Sequence, residues 1–179
     1  MKSDVIIIDN QGNGFDKLLE ETRKVAAYED LTHKESLCLQ LCAEEMMSLA
    51  RSVTGEMSAS FWIETNNGQF DLHMSTKTVM DKEKRSLLLS AATSGKNEAA
   101  KSFLGAIRDS FEHAMAADVD HSGEALPDDL LSDLPNHVIE CLDPEWDKYE
   151  QSILRRLADT IRIGIRGDNV DMTVTRKFA

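Results

Sequence analysis

The chain has 179 residues and a mass of 20.0 kDa, the length of one domain with room for an insertion. It carries 32 Asp and Glu against 20 Lys and Arg, a net charge of -12, and 41% hydrophobic residues. That balance supports a real core and excludes a generic nucleic-acid binder, which needs a basic footprint to neutralise phosphates.

The apolar run Val5 to Ile8 is four residues long, too short for a secretory leader or a membrane span. These features predict a soluble, cytoplasmic chain with no membrane contact. The run is β-branched and ends in Asp9-Asn10-Gln11-Gly12-Asn13-Gly14, which predicts a short first strand and a turn. Phe15, Leu18, Leu19, Thr22, Val25 and Ala26 then recur at helical spacing, predicting a helix over 15–29. Thr32 and Glu35 have the spacing of a capping box. The helix that follows, about 33–53, has a wide apolar face of Leu37, Leu39, Leu41, Cys42, Met46, Met47, Leu49 and Ala50, with Gly55 placed to end it.

Ser58–Thr65 and Gln69–Ser75 flank Asn66-Asn67-Gly68, a strong hairpin signal. Phe70, Leu72 and Met74 alternate with Gln69, Asp71 and His73, so one face of this hairpin is expected to be buried. Residues 81–92 look helical, and Thr93-Ser94-Gly95 breaks the pattern. Ser94 or Asn97 can cap a further helix running to about Ala117.

The stretch 112–150 holds twelve acidic residues, one basic residue and all three prolines, which predicts an acidic, partly irregular insertion over 112–143. Pro144 can start a helix over 144–158, with Trp146, Tyr149, Ile153, Leu154 and Leu157 on one face. Ile161–Arg166 and Asn169–Arg176, joined at Gly167-Asp168, predict a closing hairpin. The order of elements implies one α+β domain, a two-layer sandwich with a mostly antiparallel mixed sheet and helices on one face.

This order, the central helix carrying Leu41-Cys42-Ala43-Glu44-Glu45-Met46-Met47-Ser48-Leu49, and the closing hairpin resemble the histidine-kinase-like ATPase fold. The resemblance is to the compact form used by anti-sigma factor serine kinases, and a set of bacterial proteins regarded as ATP-binding by likeness is also similar. The resemblance covers 4–75 and 144–178 better than 76–143. It implies an ATP and magnesium site, with a Glu on the central helix polarising the attacking group and an Asn four residues on binding the metal. Glu44 takes the first position and Ser48 the second, where a hydroxyl is a poorer magnesium ligand than an amide oxygen. The family's Asp-x-Gly-x-Gly segment has no counterpart in the glycine-free stretch Met74–Lys82, where Asp81 is the only stand-in, and the glycine-rich lid is reduced to Ser94-Gly95-Lys96-Asn97.

Read without the family, Ser94–Asn97 fails as a P-loop. Ser90 stands where the first glycine is required and Asn97 where Ser or Thr is required. A Gly-Lys at a helix start can still cradle an anion, with Lys101 one turn further on. The five histidines form no zinc-hydrolase motif, and Cys38 and Cys42, four apart, read as core residues with no metal implied.

The function expected from these features is a non-catalytic or weakly nucleotide-binding regulatory module that holds a protein partner. The alternatives are an ATP-dependent serine kinase of the anti-sigma type, with Glu44 as base, and a small-anion sensor using Ser94–Asn97 and Lys101. The resemblance also implies that two copies can pair as a homodimer.

Overall fold

A computed structural model describes residues 1–100 and 153–178, apart from Asn10, Gly12 and 55–57. The elements are β1 (Ile6–Ile8), α1 (Phe15–Tyr28), α2 (His33–Thr54), β2 (Ala59–Asn66), β3 (Gln69–Lys77), α3 (Lys82–Ala91), β4 (Thr160–Arg166) and β5 (Asn169–Lys177), with a 3-10 turn at Glu98–Ala100 and a helical turn over 153–157. The predicted acidic insertion, most of the predicted 144–158 helix, the helix expected to run to Ala117, Gly55 and Lys101 lie outside the described residues.

The strands form one open sheet in the order β1-β2-β3-β5-β4, and every pairing is antiparallel. The protein is therefore α+β, with a sheet that is antiparallel throughout its described strands rather than mixed. Alternation in the strands explains which face is covered. Ile63, Leu72, Val174 and Ile161 lie in one row across four strands, and Phe61, Met74, Met172 and Ile163 in the next. All eight are buried, packed in one cluster with Leu18 and Val25 of α1, Leu39, Met46 and Leu49 of α2, and Leu88 of α3. The opposite face carries Trp62, Glu64, Asp71, His73, Arg162 and Thr173, each partly or largely exposed.

The local signals explain the connections. Asn67 and Gly68, at φ 48 and 73, form the two-residue turn between β2 and β3, and this fixes Asn66 opposite Gln69. The capping box at α2 is present: the Glu35 carboxylate accepts the Thr32 N–H at 2.8 Å, and Thr32 Oγ1 accepts the Glu35 N–H at 3.4 Å. Gly14 precedes α1 at φ 93, where its α-carbon passes the β1 main chain. The face of α2 is narrower than expected, because Leu37 and Leu41 are 51% and 37% exposed, off the stripe of Leu39, Cys42, Met46, Leu49 and Ala50 that meets the sheet.

Residues 1–3 extend the sheet beside β2. Ser3 N–H donates to Ile63 O at 2.8 Å and Thr65 N–H to Met1 O at 2.8 Å. Lys2 is bridged to Glu64 while Ile6 faces Phe61, so one extra residue is accommodated between them as a bulge. Among the described residues no helix is long and apolar enough to cross a membrane.

Candidate functional site

Asp81 stands in extended conformation at the start of α3. Its Oδ1 accepts the Lys84 N–H at 2.8 Å, and Lys84 Nζ lies 3.7 Å from Oδ2. This is an N-cap, and it occupies one carboxylate oxygen with a helix donor that has no partner within the helix. Asp81→Ala is expected to cost about 1 kcal/mol by loss of this cap, read as a lower urea midpoint at constant slope.

After α3, the chain turns at Gly95 (φ 63), whose N–H donates to Ala92 O at 3.1 Å. Ser94 Oγ accepts the Lys96 N–H at 3.3 Å and lies 3.4 Å from Glu98 Oε1. The segment then runs along the outer edge of β4. Thr93 N–H donates to Ile161 O at 2.9 Å, and Thr93 Oγ1 accepts the Ile161 N–H at 2.7 Å. Four residues on, Asn97 repeats the pattern with its side-chain amide: Nδ2 donates to Ile165 O at 2.9 Å, and Oδ1 accepts the Ile165 N–H at 2.8 Å. Asn97 is 6% exposed, and its Oδ1 also accepts the Ala99 N–H at 3.1 Å. These two side chains satisfy main-chain groups that an edge strand otherwise leaves open.

Between this segment and the end of α3 lies a cavity of about 500 Å³, lined by Leu89, Ser94, Gly95, Lys96, Asn97, Glu98 and Ala100. Four of the residues singled out from sequence, Ser94 to Asn97, thus meet at one cavity. Among the described residues its walls combine apolar side chains with one ammonium, one carboxylate and a hydroxyl, a mixture suited to a small polar or anionic ligand.

The remaining sequence candidates are elsewhere. Glu44 and Ser48 lie one turn apart on α2, both partly exposed, and neither lines this cavity. Asp81 is at the opposite end of α3 from Ser94.

A second polar constellation, not singled out from sequence, lies on the open face of the sheet. The Trp62 and His73 rings stack with centroids 5.0 Å apart and planes at 11°, and Lys2 Nζ lies 5.1 Å from the Trp62 ring centre. Glu64 Oε1 is 3.0 Å from Lys2 Nζ and accepts from Trp62 Nε1 at 3.1 Å. These contacts, with Lys2 foremost, hold the Glu64 carboxyl below its usual range. The hairpin register could have revealed the stack, since a two-residue turn at Asn67-Gly68 sets Trp62 opposite His73.

Among the cysteines, Cys42 is buried against the core. Burial first, then the neighbouring Cys38, pushes its thiol up to about 12, so it is no nucleophile near neutral pH. Among the described residues no group of His, Cys, Asp and Glu is arranged to hold a metal ion.

The fold and site define an α+β protein with an open antiparallel sheet, helices on one face, and a small polar cavity where the β4 edge meets the end of α3. No protein-family model matches the chain, and no curated protein sequence matches it.

Proposed function

We propose that this protein is a cytoplasmic regulatory or interaction module, non-catalytic or weakly nucleotide-binding, on a framework resembling the histidine-kinase-like ATPase domain. Its working contact is a protein partner. One observation carries this reading. Two of the side chains offered for nucleotide contact are already engaged by main chain: Asp81 through Oδ1 at the α3 cap, and Asn97 through both amide atoms along β4. With Ser48 in place of the amide that would hold magnesium, the metal of a kinase is poorly supplied even though Glu44 stands where the base would be.

A second reading, a sensor of small anions, is favoured by the cavity that Gly95 and Lys96 line. It needs no adenine site and no magnesium.

Thermal unfolding with ATP, with and without magnesium, and with inorganic phosphate separates these readings. A ligand at 100 times its dissociation constant adds about 2.7 kcal/mol and should move the midpoint of a chain this size by several degrees, at roughly 2–4 °C per kcal/mol. The expected result is no magnesium-dependent rise at millimolar ATP. A magnesium-dependent rise that vanishes in Glu44→Gln would overturn the proposal in favour of an ATP-dependent kinase. A rise with phosphate alone, lost in Lys96→Ala, would identify the anion sensor.

A further inference from the structure

His73 stands in the middle of the open sheet face, flanked on neighbouring strands by Trp62 and Thr173. Its Nδ1 lies 3.2 Å from Thr173 Oγ1. Its Nε2 is buried and, among the described residues, has no hydrogen-bond partner, yet it points within 3.8 Å of Glu64 Oε2. A neutral imidazole donates through one nitrogen only, so the ring leaves one nitrogen to accept. Protonation makes both nitrogens donors and places a positive charge beside a carboxylate that is already shared.

Glu64 is also what holds the Lys2 side chain against the sheet, alongside the main-chain bonds of residues 1–3. The same carboxylate holds the Lys2 ammonium through Oε1, while Lys2 sits beside the Trp62 ring that His73 stacks on. Two cations then compete for one carboxylate, and they repel each other around one indole ring. We propose that His73 is a proton-operated latch on the N-terminal segment: protonated, it draws Glu64 toward Nε2 and loosens the docking of residues 1–3 along β2.

The charged groups facing His73 set the direction. Burial of the ring is the largest influence and holds its pKa below the ordinary 6.5. Glu64 on β2 and Asp71 on β3 oppose this, while Arg162 on β4 and Lys2 reinforce it. Because the folded value lies below the unfolded one, the unfolded chain binds the proton more readily. The neutral ring's contribution to stability is therefore present above about pH 6.5 and is lost as pH falls through the folded value. The latch is closed at neutral pH and eases in mild acid.

By reciprocity, if the proton weakens Lys2 docking, Lys2 must weaken proton binding by the same factor. The test is an NMR titration of the His73 ring, assigned by its loss in His73→Gln, together with the Ser3 and Thr65 amide signals. Lys2→Met should raise the His73 midpoint by about half a unit, a roughly threefold coupling, and Glu64→Gln should lower it. In the wild-type chain the Ser3 and Thr65 amides should shift with the His73 midpoint, and in His73→Gln that transition should disappear. An unchanged midpoint in Lys2→Met, or amides of Ser3 and Thr65 indifferent to His73, overturns the latch. Both Lys2 and Glu64 are half-exposed at their side chains, so these variants keep the core intact.

Discussion

Asn97→Ala is expected to destabilise the protein by about 2–4 kcal/mol, because two buried main-chain groups of Ile165 lose their partners at once. At this chain length that corresponds to a fall of roughly 5–15 °C in the unfolding midpoint. Asn97→Asp is the sharper variant. It keeps the shape and the acceptor for the Ile165 N–H but replaces the donor with a carboxylate oxygen facing the Ile165 carbonyl, so it should fare no better than alanine. Urea denaturation of the three proteins checks this. A loss below about 1 kcal/mol in both variants would mean that the β4 edge finds other partners and that the Asn97 bonds to Ile165 contribute little. The same side chain lines the cavity, so the experiment reports on the site as well as on the sheet.

The second large effect is expected at Gly14. A β-carbon added there would lie 2.2 Å from Ile7 O and 3.3 Å from Ile8 Cα, and the residue sits at φ 93. Ile7 O belongs to β1 main chain and cannot yield without moving the strand. Gly14→Ala should therefore cost more than about 2 kcal/mol, the left-handed backbone alone accounting for roughly 1–2. Gly95→Ala provides the control. Gly95 also has positive φ, at 63, but among the described residues nothing lies within 4 Å of its added β-carbon, so the backbone cost is what remains. The difference between the two substitutions isolates the contact with β1, and equal losses would show that this contact is soft.

Much of the fold is legible in the sequence because its elements are announced by local chemistry. The β-branched run at Ile6–Ile8, the Thr32–Glu35 box and the Asn67-Gly68 turn each act through residues a few positions apart, and each element formed where those signals put it. What was not legible depends on distant partners. Asn97 reads as a helix cap, and its Oδ1 does accept the Ala99 N–H. Its main bonds, however, go to Ile165, 68 residues away. Asp81 is engaged locally instead: its carboxylate accepts the Lys84 N–H three residues on and caps α3. Leu37 and Leu41 look like core by type but fall outside the stripe that α2 turns to the sheet, a matter of helix rotation that composition does not fix. Of the candidate residues, Ser94 to Asn97, contiguous in sequence, share a cavity, whereas Glu44 and Ser48 on α2 do not line it.

The seam between β3 and β5 gives the protein a particular folding problem. β2–β3 and β4–β5 are hairpins of neighbours in sequence and β1 reaches β2 across the two first helices, whereas β3 pairs with β5 over nine residue pairs that join, for example, His73 to Thr173, 100 positions apart. The closing entropy of such a span grows only with the logarithm of its length, about 0.6 kcal/mol for each doubling, so the finished sheet is nearly indifferent to how much chain lies between its halves. The rate is not indifferent, since pairing over long separations slows the search. The length of that span therefore weighs on the folding rate far more than on the stability of the finished seam.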